Sequence, residues 1–270
     1  MIHNIDLIKH HQELQKTANN DAYECTCHFL IKEKGVPQPF ASGVFINIDE
    51  NHFLFTAAHV AEENMDNIYI ISNKNKLYRL GGDWIINKLE DGGDRTLDKF
   101  DVAILKLDEE SVMNIKVNHK FIDKTEIGLN HKDKILPYYS VVGFPITSKG
   151  KYNRYKKTIN STPFIYTTYP FENDIYNELG YDKDINLIVH YDKNNVINYS
   201  NNQKQIGPVG NGISGCGLWY VPTQLVSENN VKKKLVGILI ENSVDNKKYW
   251  VATRIDVFME FLKLKYNIKI

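Results

Sequence analysis

The chain has 270 residues, and Lys plus Arg and Asp plus Glu both number 33, so its net charge is close to zero. This balance removes the electrostatic argument for a nucleic-acid or anionic-membrane partner, because both attract an excess of basic residues. No apolar run is long enough to span a bilayer, and 42% hydrophobic residues is typical of a globular protein that buries a sizeable core.

The N-terminal segment predicts a helix and shows no targeting signal. Asn4 is a suitable N-cap, and Ile5, Ile8 and Leu14 form an apolar stripe up to Thr17. The basic stretch, apolar core and cleavage site of a secretory signal are lacking, and three cysteines are a poor disulfide framework. The chain as it stands is therefore expected in the cytoplasm.

From Tyr23 the hydrophobic period changes to two and predicts a strand that continues to Ile31. Cys25 and Cys27 fall on its buried face. Core packing is therefore favoured for both thiols over a metal site, for which matching ligands are lacking nearby.

The rest of the chain is mostly short apolar segments separated by turn residues, which indicates an all-β sandwich or barrel. Its one clear helix is Asp256–Tyr266, and residues 148–162 predict an exposed insertion. The predicted strands are Gly43–Ile48, Phe53–Thr56, Asn67–Ser72, Asp83–Asn87, Asp101–Leu107, Tyr138–Phe144, Phe164–Thr168, Leu187–Tyr191, Gly217–Val221, Leu235–Glu241 and Tyr249–Arg254.

His59 is the first candidate for chemistry, because it ends an apolar strand in a turn of small residues, Thr56-Ala57-Ala58-His59. Its ring can face a cleft from this position. Taken alone, such a histidine is more simply a surface or core-edge residue.

Asp101 opens an almost continuous apolar strand, so its carboxylate lies at a core boundary where it can be shielded and pair with an imidazole. The alternative is a strand-capping or turn aspartate, the role favoured for Asp91, Asp94 and Asp98.

Ser214 lies among glycines that allow the strained backbone of a nucleophile turn and the close approach of a substrate carbonyl. The N–H groups of Gly212 and Ser214 can then converge on an oxyanion. A tight glycine-rich hairpin loop explains the same residues equally well.

The three segments together are stronger evidence for a catalytic site than any one of them. A serine hydroxyl needs an imidazole within hydrogen-bond reach, and that imidazole needs a carboxylate to fix its tautomer. Residues His59, Asp101 and Ser214 supply this set in the order His, Asp, Ser.

The ensemble resembles the chymotrypsin/trypsin-like serine peptidases, in a bacterial-type, intracellular form. The likeness rests on the triad segments and on four further stretches. These are Ala41-Ser42-Gly43-Val44-Phe45, Val142-Gly143-Phe144-Pro145, Leu235-Val236-Gly237-Ile238 and Ala252-Thr253-Arg254-Ile255.

The resemblance implies two packed antiparallel six-stranded-type β-barrels. The expected units are an N-terminal helical extension over 1–21 and a peptidase domain over 22–270. Within the domain, the first barrel spans about 22–120, the second about 135–255, and a C-terminal helix 256–266.

The sequence departs from the family in lacking the cysteine pair that usually brackets the histidine, and at two further positions. Ile213 stands where members activated by a freed N-terminus carry an aspartate, which excludes that activation. Ile240 replaces a serine that often supports the buried aspartate.

The resemblance also implies a substrate pocket, with Pro208 at its base and Ile240, Glu241, Asn242 and Trp250 as walls. The base carries no carboxylate, so charge selection of Lys or Arg is missing, and Trp250 leaves room for a small or flat apolar side chain. Core packing of Trp250 is the alternative, since a one-residue shift reverses its face.

The implied function is a serine endopeptidase that cleaves polypeptides through a covalent acyl-enzyme, with no cofactor and no metal. The alternatives are an inactive pseudo-peptidase that binds peptides, and hydrolysis of a small ester. The sequence identifies no regulatory protein partner.

Overall fold

The computed structural model describes residues 19–62, 64–72, 76–89, 93–132, 138–146, 152–153, 158–159, 163–197, 204–208, 212–221, 233–242 and 248–268. The helix predicted over 4–17 lies outside them. Over the described residues the chain is mostly β, with two large curled sheets and a few short helices. The predicted all-β architecture of two barrels is confirmed, in the form of two curled half-barrel sheets.

The first sheet has eight strands: β1 (Thr26–Glu33), β2 (Val36–Ile48), β3 (Asn51–Ala57), β4 (Tyr69–Ile71), β5 (Leu77–Arg79), β6 (Gly82–Ile86), β7 (Val102–Leu107) and β8 (Ile122–Asp123). Their order is β5-β4-β1-β2-β3-β7-β6, with β8 added beside β2. This differs from the expected six antiparallel strands. The extra strand β8 pairs parallel to β2, because it returns by a long crossover rather than a hairpin.

The second sheet has six strands: β9 (Tyr138–Gly143), β12 (Phe164–Thr168), β13 (Asn186–His190), β16 (Gly217–Val221), β17 (Lys234–Asn242) and β18 (Tyr249–Arg254). Their order is β12-β9-β16-β17-β18-β13, and all neighbouring strands in this order are antiparallel. Two small hairpins accompany it, β10 (Tyr152–Asn153) with β11 (Thr158–Ile159), and β14 (Val196–Ile197) with β15 (Lys204–Gln205). Of the insertion predicted over 148–162, only β10 and β11 are described.

The strand predicted from Tyr23 begins three residues later, at Thr26. Residues 19–25 form helix α1, and the Thr26 hydroxyl donates to the Ala22 carbonyl over 2.7 Å, which closes its last turn. Tyr23 is consequently exposed. Cys25 and Cys27 are both buried, although only Cys27 lies on the strand.

The other helices are α2 (Ala58–Ala61), α3 (Glu109–Ile115), α4 (Asp174–Leu179) and α5 (Ile255–Tyr266). Helix α5 follows the last strand of the second sheet and packs against strands of both sheets. Phe258 stacks on Phe55 of β3 with ring centroids 5.1 Å apart, and Leu262 is fully buried in the same cluster. Burial of a Phe or Leu side chain stabilises by roughly 1.5–3 kcal/mol, so α5 fastens the two sheets together.

Candidate active site

His59 lies in α2, a single helical turn directly after β3. Its backbone N–H donates to Asp101 Oδ1 over 2.8 Å, and its ring Nδ1 lies 2.6 Å from Asp101 Oδ2. The His59 side chain is 39% exposed and that of Asp101 is 5% exposed. The imidazole therefore has one edge on a buried carboxylate and the other available to a substrate.

Asp101 has left-handed backbone geometry, with φ of +45°. Such a φ is uncommon for a residue other than glycine and marks strain. Because Asp101 is not extended, β7 begins at Val102, one residue after the predicted start of this strand. The Asp101 carbonyl accepts from Ala58 N–H over 2.9 Å, which ties this bend to α2.

The two contacts define how His59 can act. A carboxylate only accepts hydrogen bonds, so Nδ1 carries the proton and Nε2 is left with its lone pair. This is the tautomer that a general base requires.

The loop before Asp101 is also attached to the second sheet. The Thr253 hydroxyl of β18 donates to the Phe100 carbonyl over 2.5 Å. The side-chain amide of Asn186, on β13, donates to the Lys99 carbonyl over 2.8 Å.

Ser214 lies in the turn before β16, between two glycines with positive φ, Gly212 at +90° and Gly215 at +85°. Ser214 is half-buried, and its carbonyl accepts from Ser42 N–H over 3.0 Å. The Ser42 hydroxyl donates to the Gly212 carbonyl, also over 3.0 Å. This turn is thus fixed on β2 of the first sheet.

A second contact brings the turn toward the histidine strand. A Cβ on Gly215 would collide with the Ser42 carbonyl and with the hydroxyl of Thr56, which is three residues before His59. Thr56 in turn donates to the Ser42 carbonyl over 2.9 Å. The structure therefore brings His59 and Asp101 into contact and holds the Ser214 turn against the strands that lead to His59.

Gly212 and Ser214 carry the two N–H groups that the sequence predicts as oxyanion donors. Within the described part of the chain, neither N–H group donates to an acceptor. Between them, Ile213 is 1% exposed in the apolar cluster of the second sheet. A buried aliphatic side chain thus anchors this turn from inside.

The substrate-pocket residues occupy two places. The Pro208 carbonyl accepts from the Tyr191 hydroxyl over 2.5 Å, and the Tyr191 ring stacks on Trp250 with centroids 3.7 Å apart. Trp250 is 1% exposed and packs in the cluster of the second sheet. Ile240 is 5% exposed and packs in the cluster that includes strands of the first sheet.

Glu241 and Asn242 form the end of β17, and their backbones pair with Val251 and Trp250 of β18. On the other edge of β17, pairing with β16 ends at Ile238, and Leu239 bonds the Ser214 turn, accepting from Gly215 N–H over 2.8 Å and donating to the Cys216 carbonyl over 2.9 Å. The site thus contains a strand end that is paired on one side among the described residues.

The sequence did not single out Tyr191, although this buried residue contacts Pro208 through its hydroxyl and Trp250 through its ring. Burial raises the pKa of Tyr191, so this hydroxyl keeps its proton and remains a donor. No local pattern marks such a residue, because its partners lie on distant segments.

Among the described residues, no group of three or more His, Cys, Asp or Glu side chains is arranged to hold a metal ion. In the same part of the chain, every helix is too short or too polar to cross a membrane.

No family model and no curated protein matches this sequence. A solved serine endoprotease from Yersinia pestis is similar in structure, with a TM-score of 0.50 and 14% sequence identity. The chain has a trypsin-like double-barrel fold. The match covers 93% of this chain and 65% of that one, so this chain spans less than two thirds of the length of the endoprotease.

Proposed function

We propose that this protein is a serine endopeptidase, with Ser214 as nucleophile, His59 as base and Asp101 as the group that orients it. The observation that carries the proposal is the 2.6 Å contact between His59 Nδ1 and a buried Asp101 carboxylate. The position of the Ser214 turn on the neighbouring strands supports it.

In the proposed reaction, His59 Nε2 takes the Ser214 hydroxyl proton while Oγ attacks the scissile carbonyl carbon. The N–H groups of Gly212 and Ser214 bind the oxyanion, a contribution of about 10²–10³-fold in rate for each donor. His59 then gives its proton to the leaving amine as the C–N bond breaks. Water attacks the acyl ester with His59 again as base, and Ser214 recovers its proton as the acid leaves.

The open strand edge indicates how a substrate would bind. An extended polypeptide can add to residues 240–242 of β17 by backbone hydrogen bonds, which give affinity without fixing the sequence. Pro208 would form the base of the pocket for the residue before the scissile bond, with residues 240–242 as one wall. We infer a preference for small or flat apolar side chains, because the buried Trp250 and Tyr191 rings pack together beside Pro208 and leave little free space there.

We assign the enzyme to the cytoplasm. The three cysteines, Cys25, Cys27 and Cys216, are all free and buried. Free thiols agree with a reducing compartment, where disulfides are rare.

A fluorophosphonate probe tests the proposed nucleophile. We expect covalent labelling of the wild type and of Ser72→Ala, a buried serine outside the site, and none of Ser214→Ala. A wild type that binds peptides but takes up no label would instead be a pseudo-peptidase. Cleavage profiling on a denatured proteome then tests the pocket, and a strong preference for Lys or Arg would contradict it.

A further inference from the structure

A cluster of charged and amide side chains adjoins the backbone segments that carry His59 and Asp101. Its members, here the Arg95 cluster, are Glu62, Asn87, Arg95 and Asp98. Arg95 donates to both carboxylate oxygens of Glu62, over 2.9 Å each, and to Asp98 Oδ2 over 2.6 Å. It also donates to the Asn87 side chain and carbonyl, over 3.2 and 3.1 Å. Its side chain is 13% exposed, so the guanidinium is largely enclosed.

The Arg95 cluster contacts the helix that carries His59 through Glu62. Glu62 is the C-cap of α2, and its N–H donates to the Ala58 carbonyl over 2.9 Å. A helix of four residues cannot persist by its own hydrogen bonds. The ion pair of Glu62 with Arg95 therefore helps to fix the turn that carries His59.

The Arg95 cluster also contacts the segment that carries Asp101. Asp98 Oδ2 accepts from Asp101 N–H over 3.0 Å, and Asn87 Oδ1 accepts from Val102 N–H over 2.8 Å. These two hydrogen bonds fix the backbone N–H groups of Asp101 and of the residue that follows it. They hold Asp101 at its positive φ, a conformation that it would otherwise leave.

The charges in the cluster support one another. The hydrogen bond from Arg95 lowers the pKa of Glu62, and the bond to Glu62 is the main cause that raises the pKa of Arg95. Burial opposes ionisation of Asp98, but bonds from Asn87, Phe100 N–H, Arg95 and Asp101 N–H outweigh it, so the pKa of Asp98 is lowered. All three groups are therefore charged at neutral pH.

We propose that Arg95 is a positioning residue, which sets the distance and angle between His59 and Asp101 by clamping α2 to the loop at 98–101. The consequence for rate rests on the proposed peptidase function, whereas the clamp itself does not. A misplacement of about 1 Å in a catalytic group costs on the order of 10²-fold in rate.

The test compares Arg95→Gln and Arg95→Lys with Arg254→Gln. Arg254 is also 13% exposed and bonded to the His131 carbonyl, but it lies outside the site. One readout is kcat and KM on a peptide substrate. The other is the ring N–H proton resonance of His59 Nδ1 in ¹⁵N-histidine-labelled protein, which reports the bond to Asp101 without catalysis.

We expect Arg95→Gln to lower kcat about 10²-fold with KM changed less than about twofold, and to shift or broaden the His59 resonance. Arg95→Lys should recover part of both, since it restores one charge but not the forked contact. Arg254→Gln should keep both. Should Arg95→Gln fail to fold, Glu62→Gln cuts the same link and should move the resonance in the same direction.

An Arg95→Gln protein with unchanged resonance and kcat would overturn the proposal, as would an equal loss in Arg254→Gln. A wild type without hydrolysis or probe labelling would refute the peptidase function alone, because the resonance still tests the clamp.

Discussion

The N–H of Ser42 donates to the carbonyl of Ser214 over 3.0 Å, which joins the middle of β2 to the turn before β16. The Ser42 carbonyl accepts in turn from the Thr56 hydroxyl. The candidate nucleophile is thus fixed by strands of the first sheet, although its own strand belongs to the second. Such a turn is preorganised, because its position does not depend on a substrate.

Gly215→Ala tests this attachment. The added methyl group would collide with Ser42 and Thr56 at a residue with φ of +85°, so we expect a loss of at least ~10²-fold in kcat and of about 1–3 kcal/mol in the free energy of unfolding. Gly35→Ala is the matched control, because Gly35 has φ of +77° and no described atom within 4 Å of the added Cβ. It should cost about 1 kcal/mol and leave kcat unchanged. Equal kinetic effects of both changes would argue against the attachment.

Ser214→Ala and His59→Ala should each lower kcat by about 10⁶-fold, and the double variant should lower it little further. Triad members act as one unit, so removal of either leaves only binding and oxyanion stabilisation. Steady-state kinetics with a sensitive peptide substrate gives the three values. Strictly additive losses would show that the residues do not share one mechanism.

Asp101→Asn should fold normally and lower kcat by about 10⁴-fold. An amide keeps the size of the carboxylate but can present its NH₂ group to His59 Nδ1, which then holds the wrong tautomer. Kinetics together with thermal unfolding separates this effect from a loss of stability. Activity within tenfold of the wild type would show that Asp101 does not orient His59.

We expect the free energy of unfolding to fall in mild acid because of His28. Burial lowers its pKa from 6.5 to about 4, and its ring stacks on Phe144 with centroids 4.7 Å apart. Between these two pH values the unfolded chain binds a proton that the folded chain does not, so stability falls as pH falls from 6.5 toward 4. The full effect is on the order of 3 kcal/mol.

His28→Phe keeps a ring against Phe144 and cannot take up this proton. We therefore expect urea unfolding of the variant to depend less on pH between 4 and 6.5 than unfolding of the wild type. His52→Gln, at a more exposed ring whose pKa is also lowered, should change the dependence less. An identical pH slope in His28→Phe would show that His28 is not responsible.

Much of the fold was predictable because its central strands combine apolar runs with clear turns. The predicted bounds of Phe164–Thr168, Gly217–Val221 and Tyr249–Arg254 agree with β12, β16 and β18. The start of β1 was wrong, since alternation from Tyr23 suits a strand but the Thr26 hydroxyl ends a helix there.

Four short helices, α1 to α4, were missed, and for two of them the sequence carries clear signals. Asp108 caps α3 by accepting from Ser111 N–H, and Glu109 and Glu110 occupy its first turn. Gly180, with φ of +69°, ends α4. The apolar content of both segments is too low to stand out by periodicity.

The candidate site residues lie in short motifs that can be recognised in the sequence. The residues that hold them in place do not lie in such motifs. Asp94 has the turn role that was predicted, since its side chain accepts from Thr96 N–H. Asp98 was given the same role, yet it also bonds Arg95 and Asn87. Those contacts form where separate strands and loops meet, and they cannot be predicted from the spacing of residues along the chain.

The bonds from Asn186 and Thr253 to the loop before Asp101 have a consequence for biosynthesis. Both donors are made long after His59 and Asp101 have left the ribosome. We expect a nascent or C-terminally truncated chain to contain both residues without their final geometry, because the loop still lacks these two partners. The proposed enzyme would then become active only after β18 has been synthesised and has folded, so that incomplete chains would not cleave other proteins.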